Sequence, residues 1–264
     1  MTFLTNLSEY LLPPRIKVLV RGLLSAVIGF IQVDTWADAV RTAYGYQDPG
    51  VITSALSAHG EVHDHKLATH VDARTLQIAA ALSKLCTNWS SDLTVRILDI
   101  GGADGRHERL IRPLLHGLNF EWTVLETAGM VENLGRLPAD TNRLTWITDI
   151  SQYVGSADVV LMSSVLQYVE KPYELLEEAS KRGRFLLINR LPLIDSDDDV
   201  PTVQHLRMYG HRGSYPAWFL SRRRLLGCVE ELGEVLMTWD VPEDRPVLHF
   251  REVGTQGLLI KCAG

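Results

Sequence analysis

Asp99 stands just before Gly101, Gly102 and Gly105 in the stretch Val95-Arg-Ile-Leu-Asp-Ile-Gly-Gly-Ala-Asp-Gly105. An apolar run closed by an acid and three glycines predicts a buried parallel strand turning tightly into a helix. Glycines at such a turn let the backbone come close to a ligand. The acid sets the sign of that ligand, because a carboxylate disfavours a phosphate and suits an amine or another cation. Glu126 closes a second strand-like run, Glu121-Trp-Thr-Val-Leu-Glu126. A carboxylate at that tip can accept both hydroxyls of a ribose. A third run ends at Thr148-Asp149-Ile150, an acid beside an apolar side chain, suited to the edge and face of an adenine. A fourth leads to Ser163-Ser164 and a fifth to Asn189-Arg190.

A dinucleotide also carries ribose and adenine. It needs G-x-G-x-x-G, however, and the chain offers Gly101-Gly-Ala-Asp-Gly105. Asp99 would then face a pyrophosphate, which is unfavourable. S-adenosylmethionine meets both demands, since its methionine end carries an amine and its sulfur is positive.

These tips need a scaffold. Strand-like runs at 94–99, 121–126, 143–148, 157–162 and 184–189 alternate with helix candidates at 105–116, 128–136 and 171–181. Such alternation implies right-handed βαβ crossovers and a parallel sheet. After Ser221 come a helix to about Glu231 and strands near 234–240 and 256–261, a final pair suited to one side of the sheet. Residues 1–92 read as a helical N-terminal extension and lid, and 93–264 as the ligand-binding α/β domain. Thr35 or Asp34 caps a helix to about Tyr44, and another covers Lys66 to Leu85. The apolar segment Ile16 to Val33 reads as a helix packed on the domain or on a second copy of the chain, which makes a homodimer plausible. Its uninterrupted apolar part is shorter than the roughly 20 residues a bilayer needs. It also lacks the small-residue cleavage site of a signal peptide.

The 264 residues are 46% hydrophobic and 22% charged, with a net charge of −6. That balance is globular and argues against nucleic acid as a partner. Cys86, Cys228 and Cys262 are scattered and odd in number, which reads as free thiols in a reducing cytoplasm.

The region from about 94 to 190 resembles a class I S-adenosylmethionine-dependent methyltransferase. The family's first motif, acid-x-Gly-x-Gly-x-Gly, is matched at Asp99, Gly101 and Gly105, with Ala103 in place of the middle glycine. Trp36-Ala-Asp-Ala, Gly45-Tyr-Gln-Asp-Pro49, Ser163-Ser-Val-Leu-Gln-Tyr168 and the span Thr202 to Ser221 are similar to a bacterial family assigned to methyltransferases by fold. The chain is also similar to azetidine-2-carboxylate synthases, which cyclise S-adenosylmethionine. The resemblance implies a Rossmann-like class I methyltransferase fold with a mostly parallel seven-stranded sheet. It implies that Gly101, Gly102 and Gly105 hold the methionine end near Asp99, that Glu126 holds the ribose, and that Asp149 and Ile150 hold the adenine, with Ser163 close by.

Methyl transfer from a sulfonium asks for alignment, exclusion of water and, for some acceptors, removal of a proton. Gln167, Tyr168 and Asn189 follow the fourth and fifth runs. A loop after them supplies Gln204, His205, Tyr209, His211, Tyr215 and Trp218. His205 is the best proton acceptor by type. Tyr168 or Tyr215 can turn a ring face to a cation. These residues suit a small-molecule acceptor, as in natural-product biosynthesis. They equally suit closure around S-adenosylmethionine alone, with cyclisation and release of methylthioadenosine. A non-catalytic binding protein on the same fold is the third reading. His59, His63, His65 and His70 crowd one segment without a carboxylate–histidine signature, so no metal is expected. The acidic run Asp195 to Asp199 reads as a solvated loop.

Overall fold

The computed structural model describes residues 13–23, 29–45, 71–86, 93–134, 144–208 and 211–263. Its helices are α1 (Pro14–Leu23), α2 (Trp36–Thr42), α3 (Ala73–Cys86), α4 (Arg106–Leu114), α5 (Ala128–Leu134), α6 (Pro172–Arg182) and α7 (Arg222–Leu232). Its strands are β1 (Gly29–Gln32), β2 (Thr94–Ile100), β3 (Asn119–Leu125), β4 (Leu144–Ile147), β5 (Ala157–Ser163), β6 (Gly183–Ile194), β7 (Val200–Met208), β8 (His211–Ser221), β9 (Gly233–Asp240), β10 (Val247–Leu248), β11 (Arg251–Glu252) and β12 (Gly254–Cys262).

Seven strands lie in the order β4-β3-β2-β5-β6-β12-β9. All run parallel except β12, which is antiparallel to both β6 and β9. This is the expected mostly parallel seven-stranded sheet. Its central strands are buried on both faces, and successive residues feed two cores. Ile97, Trp122, Val159, Leu161 and Leu187 join Ile78 and Leu82 of α3 and Ile111 of α4 on one face. Leu98, Val160, Met162, Leu186 and Ile188 join Leu176 of α6 and Leu225 and Val229 of α7 on the other. Helix α3 therefore belongs to the core of the sheet, although it precedes residue 93.

Two expectations need correction. The residues after β6 are not a loop. Strands β7 and β8 form an antiparallel hairpin, and β1 adds to its free edge, pairing Gly29 with His205 and Gln32 with Thr202. The segment Ile16 to Val33 is therefore not one helix, since α1 stops at Leu23 and Gly29 begins a strand. Pro201 and Pro216 hide the hairpin, because a strand interior normally excludes proline. The ribbon has its own small core, in which Phe219, Leu248 and Val253 are buried against Phe30 and Val200. The rings of Phe30 and Phe219 meet edge to face at 4.8 Å.

Thr35 caps α2 as expected, its hydroxyl accepting from the Asp38 N–H. Helix α1 packs on β10 and β11, yet Ile16, Leu19 and Leu23 stay exposed. The acidic run is not wholly solvated. Asp195, Asp197 and Asp199 pair in turn with Arg222, Arg223 and Arg224 at the start of α7. Asp199 also accepts from Tyr173 Oη and the Ser221 N–H, which lifts the Tyr173 hydroxyl's pKa through burial first and the aspartate second. Among the described residues, no helix is long and apolar enough to cross a membrane. Tyr209, the side chain of His211 and the histidines at 59, 63, 65 and 70 lie outside the described residues.

Candidate active site

The C-terminal ends of β2, β3, β4 and β5 meet on one rim. Parallel pairing sets Ile100 beside Leu125 and beside Met162, and Leu125 beside Ile147. The chain then leaves β2 through Gly101 (φ 70°), Ala103 (φ 49°) and Gly105 (φ 74°), all in the left-handed region. A Cβ on Gly101 would come within 2.7 Å of Val165, and one on Gly102 within 2.5 Å of the Asp99 carboxylate. Both glycines are therefore required by close approach. Ala103 stands where the usual motif has glycine, and it keeps the left-handed turn at a cost of about 1–2 kcal/mol.

Glu126 ties this loop to the second strand tip. One of its carboxylate oxygens accepts from the Ala103 N–H at 3.0 Å and the other from the Thr127 N–H at 2.8 Å. Gly101 N–H donates to the Leu125 carbonyl, and Glu126 N–H to that of Ile147. Burial raises the Glu126 carboxyl above its ordinary range. The two backbone donors oppose that shift, and the charge of Asp99 adds to it. Asp149 begins the turn after β4 and accepts from the Ser151 N–H in a capping box with Gln152. Ser151 holds its carboxyl below the usual range. Ile150 packs on the second core, and Ser163 is buried at the tip of β5.

Asp99 lies under the glycine loop and is fully buried. Its Oδ2 accepts from Trp122 Nε1 at 3.2 Å and lies 3.0 Å from His107 Nδ1. A carboxylate oxygen only accepts, so Nδ1 carries the proton. Its Oδ1 is buried with no hydrogen-bond partner among the described residues, a state that costs about 1–3 kcal/mol. Sequence reasoning missed His107 and Trp122. The signal was present, since a buried acid at a strand tip requires donors and the first turn of the following helix is a place to find one.

The residues expected to do chemistry divide into two groups. Ser163 is the last residue of β5 on its edge of β6, and β8 joins that same edge only at Leu193. Among the described residues, no strand pairs with this edge between Asn189 and Leu193. Gln167 fills the gap, its Nε2 donating to the Arg190 carbonyl at 3.3 Å and to Ser164 Oγ at 2.9 Å. Tyr168 Oη donates to Gln204 Oε1 at 2.7 Å, and its ring meets Tyr215 edge to face at 5.2 Å. Tyr215 and Gln204 are direct cross-strand partners. Burial raises the hydroxyl pKa of both tyrosines, that of Tyr215 strongly. Gln167, Tyr168 and Tyr215 are thus brought together.

Asn189 and His205 are not brought into that group. Asn189 is buried on the opposite face of β6, where Nδ2 donates to the Arg74 carbonyl and Oδ1 accepts from Trp239 Nε1. His205 follows Gln204 on β7 and so points to the other face of the ribbon, across from Ser214. Burial lowers its pKa. Proximity in sequence had suggested a shared site, but alternation along a strand separates neighbours.

Beside Tyr168 lies a cavity of about 350 Å³, walled by Phe30, Gln167, Tyr168, Arg190, Gln204 and Thr255. Phe30 comes from β1, Gln204 from β7 and Thr255 from β12. Arg190, itself at φ 61°, pairs with Asp244, which also faces Arg74 at 3.6 Å.

The strand order, the one antiparallel strand and the glycine turn after β2 define the class I methyltransferase fold. Among solved structures, the CcbJ methyltransferase from Streptomyces caelestis matches with a TM-score of 0.50 at 13% identity, over 77% of this chain and 96% of that one. The N-terminal domain of EvdMO1, crystallised in the presence of SAH and D-fucose, matches with a TM-score of 0.47 at 18% identity, over 73% and 84%. An S-adenosylmethionine-dependent methyltransferase from Clostridium acetobutylicum ATCC 824 gives 0.49 at 13%, over 79% and 99%. At these identities the likeness bears on fold alone. No protein-family model matches the chain, and no curated protein is significantly similar to it.

Proposed function

We propose that this protein transfers a methyl group from S-adenosylmethionine to a small-molecule acceptor, as in natural-product biosynthesis. The observation that carries the reading is the Glu126 carboxylate bridging to the glycine loop at Ala103 N–H, on the rim where open α/β sheets bind ligands. The loop of Gly101, Gly102 and Gly105 would hold the methionine end. The unpartnered Asp99 Oδ1 and the closeness of its carboxylate to Gly102 suit a positive group above that turn. Glu126 retains lone pairs for ribose hydroxyls, Asp149 and Ile150 would meet the adenine, and Ser163 would close the floor. S-adenosylmethionine supplies, when bound, a methyl group already activated on a sulfonium.

The chain's own task is then to orient and to exclude water. Gln167 and Tyr168 line the neighbouring cavity and would position the acceptor. Tyr215 backs Tyr168 and fixes its ring. Tyr168 stays a neutral phenol, so it donates or accepts a hydrogen bond without serving as a strong base. Asn189 would act from behind, by holding β6 to α3. The three cysteines are free thiols, in keeping with work in the cytoplasm.

Cyclisation of S-adenosylmethionine needs no acceptor pocket, and the cavity beside the rim favours methyl transfer. The test begins with calorimetry of S-adenosylhomocysteine binding, where no heat of association at millimolar ligand sinks the cofactor reading. The protein is next incubated with S-adenosylmethionine alone. Methylthioadenosine with an equal amount of cyclic amino acid, above the no-enzyme control, would replace methyl transfer by cyclisation.

A further inference from the structure

Helix α1 turns an apolar stripe outward. Ile16, Leu19 and Leu23 stand at i, i+3 and i+7, which places them on one side of the helix. They are 45%, 52% and 68% exposed. Val18 and Val20 are half-buried, and α1 rests on β10 and β11. The stripe is therefore not the face that the fold uses. Three exposed aliphatic side chains in a row on a helix of ten residues make an unfinished contact.

The hairpin beneath α1 adds to it. His249 and Phe250 turn the chain from β10 to β11, and both lie in the left-handed region, at φ 48° and 59°. A tight hairpin turn with two such residues favours Asn-Gly. Phenylalanine is strained there. Its ring is 53% exposed, so packing inside the chain recovers little of that strain. Backbone strain held at the surface points to a contact outside the molecule.

Charge selects the partner. Helix α1 carries Arg15, Lys17 and Arg21 and no acid, and no Asp or Glu occurs between Glu9 and Asp34. The chain as a whole is at −6, so this end departs in sign from the rest. A second copy seated on the stripe would bring two cationic helices together, with no acid in either to answer them. An anionic lipid surface answers the charge and also takes up the aliphatic stripe. The helix rises about 15 Å, too short to cross a bilayer and suited to lie in its interface.

We propose that α1 docks the protein on membranes that carry anionic lipid, with Ile16, Leu19 and Leu23 entering the headgroup region beside Phe250. Nothing in this depends on the function proposed above. Strand β10 also lends Val247 to the cavity beside Tyr168, so a bilayer against α1 stands close to that cavity.

Co-sedimentation of the full chain with vesicles tests the docking. Vesicles of phosphatidylcholine with about one-third phosphatidylserine should bind about tenfold or more tightly than phosphatidylcholine alone, and about 0.5 M salt should remove most of that preference. Leu19→Ser with Leu23→Ser should weaken binding to the anionic vesicles by about tenfold or more. Lys17→Glu with Arg21→Glu should abolish the preference for phosphatidylserine. Leu19 and Leu23 are exposed, so their double variant should keep its fold, which circular dichroism checks. Light scattering of the protein without lipid reads the rival occupant. No binding to the anionic vesicles, equal binding to both compositions, full binding by the folded double leucine variant, or a dimer which that variant breaks overturns the proposal. The comparison of vesicles uses the unaltered chain and decides even if a variant does not fold.

Discussion

The rim of the parallel sheet and the ribbon beside it are built on different principles. The rim is made of backbone: a left-handed turn, carbonyls passed from strand to strand, and the Glu126 carboxylate on two N–H groups. The ribbon is made of side chains, with Phe30 and Phe219 packed against Leu248 and Val253, and Tyr215 against Tyr168. A backbone site tolerates many sequences and recognises one ligand shape. A side-chain wall changes its ligand with each substitution. A shared cofactor and a variable partner would be divided between the two regions in just this way.

The largest effect that would expose the difference is on stability. Phe219 is fully buried, so Phe219→Ala should cost about 3–5 kcal/mol in urea denaturation. The folded fraction should nevertheless bind S-adenosylhomocysteine as before. A parallel loss of affinity would mean that ribbon and rim are one unit. Next comes Glu126→Ala, expected to weaken S-adenosylhomocysteine by about 1–3 kcal/mol in calorimetry. Unchanged affinity in a folded variant would remove the ribose contact from the rim.

The raised Glu126 carboxyl gives a pH signature of two opposite signs. The folded protein holds this proton more tightly than the unfolded chain does. The stability it contributes is therefore fully present below the unfolded pKa and is lost as pH rises through the folded one. Ligand hydroxyls need the ionised form, so affinity should instead fall as pH drops, starting above the usual glutamate range. Calorimetry across that range should show a slope that Glu126→Ala flattens; an equal slope in the variant would sink the assignment. The smallest effect is predicted for His205→Ala. Because His205 faces away from Tyr168 and Gln204, kcat/KM should change by less than about twofold, and a loss of a hundredfold would return the histidine to the site.

Legibility followed the same division. The rim was readable because buried parallel strands are continuous apolar runs, such as Ala157 to Met162, and because Asp99 and Glu126 interrupt theirs at the tips. The ribbon was not, because Pro201 and Pro216 forbid a confident strand and because β1 finds its partner far along the chain. The residues expected to do chemistry were grouped by sequence distance. Gln167, Tyr168 and Tyr215 meet, while Asn189 and His205 fall on other faces. Thr255 gave no signal at all, since a single threonine in an apolar strand is unremarked until the fold sets it beside Gln167 and Arg190.

The pairing of Gly29–Gln32 with β7 also fixes an order of assembly. Tyr44 N–H, just beyond α2, bonds to Ser214 Oγ, 170 residues downstream. At about 5–20 residues per second of translation, this stretch waits roughly ten to thirty seconds for its partner to emerge. During that interval the Phe30 side chain has nothing to cover it. The cavity wall it forms is thus completed only once β7 and β8 have been made.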